Sequence, residues 1–392
     1  MNTVYIVAAK RTPIGSFGGV FKDFSATDLG ASIVKGTLED AGIKPELIEE
    51  LFFGNVVPSN LGQAPARQVA VKAGLAQSTP VTLINKVCAS GMKATMIGAQ
   101  SIQLGLNQIV AVGGMENMSQ IPFYLDKARF GYGYGNGQMI DGLAKDGLTD
   151  PYQDKAMGCF ADATAERFEL TREMQDEYAI NSYKRAAGAW ASGEFAKEVL
   201  PVVLKDRKGN DVVISEDEEY KKVFFDKIPN LKPVFTKEGT VTAANASTIN
   251  DGAACLILAS EEAVEKHGLK PIAKISSSAD GAREPEWFTI APILAAEKSL
   301  GRAGLSLGDI DYFEVNEAFS AVPMAFAKHF DISYEKMNIN GGAVSIGHPL
   351  GCSGARILVS LLNVLQSKGA KKGMAAICNG GGGASAMIVE LI

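Results

Sequence analysis

The chain has 392 residues, of which 46% are hydrophobic and 21% charged, the proportions of an ordinary globular protein. A disordered chain, a collagen and a coiled coil are excluded, and the length suggests about two to three domains. Lysine and arginine total 38 against 44 aspartates and glutamates, a net charge of −6. The basic footprint of a nucleic-acid binder is missing, and no apolar run of about 18 residues offers a membrane span.

Val4 to Ala8 reads as a buried strand. A helix follows from about Ser25 to Asp40, with Ser25 or Thr27 able to cap it and Gly42 to end it. Leu51 to Val57 is the next strand, Ala64 to Ala73 a helix, and Val81 to Asn85 a short strand. Cys88 to Leu104 reads as one long helix whose small residues (Ala89, Ser90, Gly91, Ala94, Gly98, Ala99) let it lie deep inside the protein. Ile109 to Val112 is a buried strand ending at Gly113-Gly114.

The order then repeats. Ala41-Gly42-Ile43, Ile48 and Leu51 to Phe53 match Ala303-Gly304-Leu305, Ile310 and Phe313 to Val315, 262 residues on. Ser90-Gly91 matches Ser353-Gly354 at 263, and Val110 to Gly114 matches Ala376 to Gly380 in pattern. One α/β unit therefore occurs twice. The offset is longer than one copy, so a more polar segment, 119–249, reads as an inserted loop domain set on the first half. It contains the run 131–137, rich in glycine and tyrosine, and the charged run Ser215 to Lys222. The expected division is 1–118 plus 250–269, the insert 119–249, and 270–392.

Five cysteines, Cys88, Cys159, Cys255, Cys352 and Cys378, are widely spaced and form no Cys-x-x-Cys. That argues against a disulfide framework or a structural zinc and for a reducing compartment. The N-terminus enters a strand pattern without a signal peptide, and Val389 to Ile392 is no peroxisomal address. The expected location is cytoplasmic.

Reactive residues gather in four places. Cys88 stands at a strand-to-helix turn, where helical N–H groups favour a thiolate; a buried structural cysteine is the plain alternative. His267 and His329 read as surface or helix-end residues, whereas His348 sits in a glycine-rich loop before a helix. Cys378 leaves a buried strand into Gly380 to Gly383, whose N–H groups can receive an oxyanion. A phosphate loop is the rival there, but no Lys-Ser/Thr follows. Asn316-Glu317-Ala318-Phe319 follows the repeated strand and could be a helix cap. No Gly-x-Gly-x-x-Gly supports a nicotinamide cofactor.

Four ordered motifs, Val87-Cys88-Ala89-Ser90-Gly91, Asn316-Glu317-Ala318-Phe319, Gly347-His348-Pro349 and Cys378-Asn379-Gly380-Gly381-Gly382, give the chain a resemblance to the thiolases over essentially its whole length, closely to the biosynthetic acetyl-CoA acetyltransferases. The resemblance implies a thiolase fold, a duplicated α/β half in five layers (αβαβα) with an inserted loop domain. It implies reversible condensation of two acetyl-CoA to acetoacetyl-CoA and CoA through an acetylated Cys88. A degradative 3-ketoacyl-CoA thiolase is the alternative; a non-catalytic acyl-CoA binder is opposed by the intact Cys88, His348 and Cys378. In the family scheme His348 takes the proton of Cys88. Cys378, with an ordinary thiol pKa, is acid and base. The N–H groups of Cys88 and Gly380 hold the acyl oxygen, and His348 with a water on Asn316 holds the enolate. No prosthetic group is implied. Coenzyme A is expected at Ser247, Leu148, Met157, Tyr183 and Phe319, with its nucleotide end at Lys222, Val223, Phe224 and Lys227. Tyr183 and the carbonyls of Ala243, Ala244, Ala246 and Val344 match a potassium site of some relatives. Further expectations are a homotetramer and no nucleic-acid or membrane partner.

Overall fold

A computed structural model describes residues 2–392. Nine principal strands are β1 (Val4–Arg11), β2 (Glu50–Gly54), β3 (Val81–Ile84), β4 (Ile109–Asn117), β5 (Asn250–Ser260), β6 (Ala273–Ala282), β7 (Tyr312–Val315), β8 (Lys372–Asn379) and β9 (Gly383–Leu391). They hydrogen-bond in the order β7-β8-β9-β6-β1-β5-β4-β2-β3. Removing the edge strand β3 leaves a palindrome of topology, because β2-β4-β5-β1 on one side mirrors β7-β8-β9-β6 on the other. The halves join where Tyr5 and Ile6 face Lys274 and Ala273.

The helices are α1 (Ala26–Ala41), α2 (Pro65–Lys72), α3 (Ser90–Gln103), α4 (Gly158–Arg167), α5 (Arg172–Ala191), α6 (Glu261–His267), α7 (Ala291–Ala303), α8 (Ala321–Phe330), α9 (Ala343–Ile346) and α10 (Leu350–Lys368). Helices α3 and α10 lie between the two half-sheets. Val110, Val112, Leu256 and Leu258 face them from one side, and Ala375, Ile377, Met387 and Val389 from the other. The alternate residues, such as Ala111 and Ile257, pack outward on α1 and α2, while Met374, Ala376 and Ile388 pack with residues of α7 and α8. The period of two along each strand thus generates the five layers. Ser25 caps α1 by accepting the Asp28 N–H, and Gly42 ends it at φ 65°, as the sequence predicts.

Pairing registers correct one repeat match. Glu50 on β2 faces Val110 on β4, and Tyr312 on β7 faces Gly373 on β8. Since Glu50 and Tyr312 are 262 apart, Val110 to Gly114 correspond to Gly373 to Ile377, not to Ala376 to Gly380. A pattern of small apolar residues looks the same after a slip of three. The β-bulges agree with the corrected register: β1 slips against β5 between Ile6 and Ala8, and β6 slips against β9 between Ile275 and Ser277. Gly113-Gly114 also do not end β4. They continue it because a side chain there has no room: a Cβ at Gly114 would lie 2.0 Å from the Gly351 carbonyl oxygen.

Segment 119–249 carries α4, α5 and three two-stranded ribbons. Its helices do not sit on the first half as expected. Helix α5 packs against α9 and α4 against α8, both in the second half. Buried polar bonds draw α5 there: its Tyr178 and Ser182 hydroxyls donate to Glu317 at 2.9 and 2.8 Å. The first half is held through Arg11, which donates to Glu198 at 2.6 Å and to Asp217 at 2.8 and 3.0 Å.

Candidate active site

Cys88 is in the turn between β3 and α3, two residues before the first helical residue. Val87 takes a left-handed φ of 47°, uncommon and strained for a β-branched residue. Three bonds hold it there. Its N–H donates to Asn85 Oδ1 at 3.0 Å. Ser90 Oγ accepts the Lys86 N–H at 2.8 Å and donates to the Val87 carbonyl at 2.6 Å. Lys86 then ties the turn to the other half: its Nζ donates to Asp280 on β6 at 2.5 Å, and to the Ala384 carbonyl and Ser385 Oγ on β9 at 3.0 and 2.8 Å. Ala384 is the strand partner of Cys378.

The other reactive groups come from the second half. His348 follows Gly347, whose φ is 109° and where a Cβ would lie 2.4 Å from the Asn250 side chain. Asn250 Oδ1 accepts the His348 N–H at 2.9 Å. His348 Nδ1 is 2.6 Å from Ser353 Oγ, which donates to the Pro349 carbonyl at 2.8 Å. Its Nε2 is buried without a hydrogen-bond partner. Asn316, just past β7, is buried and takes 3.3 Å from Arg356 Nη2 on its Oδ1. Cys378 is near the end of β8, and Gly380 begins the turn into β9.

Burial sets the proton affinities. The Cys88 thiol is pushed up to about 12, although the N–H groups of Gly380 and of Cys88 itself reach its sulfur and pull the other way. His348 is pushed down to about 3, chiefly by burial and then by Arg356. The resting pair is therefore neutral thiol and neutral imidazole, not a preformed thiolate. Cys378 is raised well above the usual thiol range by burial and by the neighbouring Cys88. The ordinary thiol pKa expected of it is therefore wrong, because the strand that carries it is fully buried.

Cys88, His348 and Gly380 line one cleft of about 640 Å³ together with Leu148, Met157, Ser247, Phe319 and Lys222, within the size range of small-molecule sites. Family models described as "Thiolase, N-terminal domain" and "Thiolase, C-terminal domain" match residues 4–262 and 269–391. The chain belongs to the thiolase family. A probable acetyl-CoA acetyltransferase of Dictyostelium discoideum is 52% identical over 100% of this chain and 94% of its own length. Acetyl-CoA acetyltransferase IB of Candida tropicalis is 53% identical over 99% and 97%. The crystal structure of a thiolase from Ascaris suum in complex with coenzyme A matches with a TM-score of 0.95 at 46% identity, covering 100% of both chains.

In this thiolase Asn316 and Cys378 are buried and stand outside the cleft lining, and the other predicted residues divide between the lining and its surroundings. Val223 and Tyr183 pack with Val344, Phe224 is exposed, and Lys227 Nζ lies 4.2 Å over the Phe224 ring. Lys222 Nζ donates to Ser16 Oγ. Ala243 and Ala246 line the cleft and Ala244 is buried beside them. Sequence reasoning missed Phe235, Lys86, Asp280, Ser353 and Arg356. It also read Glu317 as no more than a possible helix cap, whereas its carboxylate accepts from Tyr178, Ser182, Asn338 and the Val344 N–H. Only Ser353 carried a signal, its match to Ser90 in the repeat.

Proposed function

We propose that this thiolase is an acetyl-CoA C-acetyltransferase, condensing two acetyl-CoA to acetoacetyl-CoA and free CoA and running the reverse thiolysis. One observation carries the reading: Cys88, His348 and Gly380 converge on one apolar cleft, with buried Cys378 near enough for the charge of Cys88 to act on it. Covalent transfer divides one difficult reaction into two steps. Cys88 loses its proton to His348 Nε2 and its sulfur bonds to the acetyl carbon. The bond from that carbon to the CoA sulfur breaks, and Cys378 gives CoA its proton. Cys378 is left as a thiolate beside a protonated His348. In the second step that thiolate removes a proton alpha to the thioester of the second acetyl-CoA. The enolate oxygen takes hydrogen bonds from His348 Nε2–H and from a water on Asn316. The new C–C bond forms, and Cys88 leaves and regains its proton from His348. The N–H groups of Cys88 and Gly380 face the acyl oxygen; one such donor contributes roughly 3 kcal/mol in other enzymes.

Coenzyme A lies along Ser247, Leu148, Met157 and Phe319, with its nucleotide end toward Lys222, Val223, Phe224 and Lys227. Potassium fits beside it, because the Tyr183 hydroxyl and the carbonyls of Ala243, Ala244, Ala246 and Val344 accept no hydrogen bond among the described residues, and carbonyl oxygens suit hard cations. No cluster of three acidic, histidine or cysteine ligands stands among the described residues, so the potassium reading rests on these carbonyls and the Tyr183 hydroxyl alone. A homotetramer is supported by the ribbon pairing Phe123–Tyr124 with Ile140–Asp141, around which Phe123, Leu125, Phe130 (93% exposed) and Met139 lie open to solvent, an apolar display that marks an association surface. Five free thiols fit the cytoplasm.

The test is peptide mapping after incubation with acetyl-CoA. One acetyl group is expected on Cys88. Acetyl on Cys378 with Cys88 free would sink the assignment.

A further inference from the structure

Helix α10 begins two residues after His348 and runs under the site. Its residues Ser353 and Arg356 are three apart, so they share a face, and each touches one group of the reaction scheme. Ser353 has a single hydroxyl proton, and that proton is committed to the Pro349 carbonyl at 2.8 Å. The oxygen is then an acceptor toward His348 Nδ1 at 2.6 Å. For the ring this fixes the proton on Nδ1 and leaves the lone pair on Nε2, the buried nitrogen with no partner in the chain. Arg356 carries only donors. Its Nη2 at 3.3 Å therefore selects the carbonyl oxygen of the Asn316 amide. The Asn316 amide nitrogen sits 3.5 Å from His348 Nδ1; with Nδ1 already protonated, two donors face each other and no bond forms. The amide hydrogens stay free for a ligand or water. Neither Ser353 nor Arg356 lines the cleft.

We infer that Ser353 and Arg356 are positioning residues: Ser353 locks His348 in the tautomer that can accept the Cys88 proton, and Arg356 locks the Asn316 amide with its NH₂ toward the reacting oxygen. This deepens the acetyltransferase reading and rests on it. It also divides the labour of α10 between the two half-reactions. Acetylation of Cys88 needs a base and so depends on Ser353. Enolate formation also needs Asn316 and so depends additionally on Arg356. The repeat places a serine at the same point in the first half, where Ser90 organises the Cys88 turn in the same manner, donating to a carbonyl while accepting from another donor.

The experiment combines two readouts on Ser353→Ala, Ser353→Thr, Arg356→Lys and the double variant Glu314→Leu/Arg356→Met. The double variant removes a buried ion pair (Arg356 Nη1 to Glu314 Oε2, 3.7 Å) as a unit, which folded proteins tolerate better than loss of one partner. Exchange of labelled CoA into acetyl-CoA reports acetylation alone, and thiolysis of acetoacetyl-CoA reports the whole reaction. Nitrogen-15 spectra of histidine-labelled protein, which contains three histidines, report the tautomer. Ser353→Ala should lower kcat for both reactions by roughly 10²-fold with KM for CoA unchanged, and move the His348 proton to Nε2. Ser353→Thr should keep the rate and the wild-type tautomer. Arg356→Lys and the double variant should lower thiolysis by roughly 10²-fold while exchange persists. A proton on Nε2 in the resting wild type, full activity in Ser353→Ala, or equal losses of exchange and thiolysis in both Arg356 variants overturns the inference. Wild-type protein that neither exchanges CoA nor carries acetyl on Cys88 instead overturns the function itself, whereas the tautomer is read without substrate.

Discussion

At the scale of single residues, the site is held by polar contacts that cross from one half of the chain to the other. Asp280 accepts Lys86 and Lys93 from the first half and Ser385 from the second, at 2.5, 2.7 and 2.7 Å. Burial raises its affinity for a proton, but the two lysines and the serine win, and the carboxyl falls to about 2. A group depressed in the folded state contributes stability above its unfolded value and loses it as pH falls through the folded value. The stability gap between wild type and Asp280→Asn should therefore be full above about pH 4 and close toward about pH 2, read as urea midpoints across that window. A constant gap would mean that the carboxylate charge plays no part. Cys88, His348, Asn316 and Cys378 could be singled out in the sequence because each stands in a motif with its neighbours, and the structure brings Cys88 and His348 to one cleft. Lys86 and Asp280 were not, because their meeting depends on how two distant strands lie, which no local pattern encodes.

Among the elements, the helix pair α3 and α10 decides how close the two halves come. Their small residues were readable as a sign of deep burial, but which glycine touches what was not. A Cβ at Gly354 would lie 2.4 Å from the Met92 backbone nitrogen, while one at its repeat counterpart Gly91 meets the Ala355 nitrogen at 2.8 Å. Replacing a helical glycine by alanine gains about 1 kcal/mol of helix propensity, and a forced clash with backbone costs about 1 to 3. The clash wins at both, by the wider margin at Gly354. Gly188, exposed on α5 with open space around its Cβ, gains without cost. Denaturant midpoints should therefore rank Gly188→Ala above wild type, then Gly91→Ala, then Gly354→Ala. Any order placing Gly354→Ala above Gly91→Ala refutes this account of the packing. The insert was expected to be loop-rich and set on the first half, whereas its helix α5 meets the buried Glu317 carboxylate of the second; no local pattern in the sequence shows where a buried carboxylate needs donors.

For the whole molecule, the corrected register assigns each reactive residue a partner in the other half. Glu116, near the end of β4, joins the halves at one such place. Its carboxylate accepts Asn55 Nδ2 and the N–H groups of Val56, Val57 and Gly351 at 2.7 to 3.1 Å, and burial pushes it up to about 7. Glu116→Gln turns one oxygen into a donor and strands two buried N–H groups, each costing about 1 to 3 kcal/mol; a lower urea midpoint at unchanged slope is expected, and an unaltered midpoint refutes it. At the offset of 263, Gly351 is the counterpart of Cys88, Asn85 of His348 and Met115 of Cys378, while Gly54 answers Asn316 at 262. Not one of the four can act as nucleophile, base or acid. A doubled scaffold offers two equivalent workplaces, and this chain keeps its chemistry in one. The other has become a rivet, with the backbone that mirrors Cys88 clamped by Glu116, so that a symmetric body gathers its reactive side chains on one side.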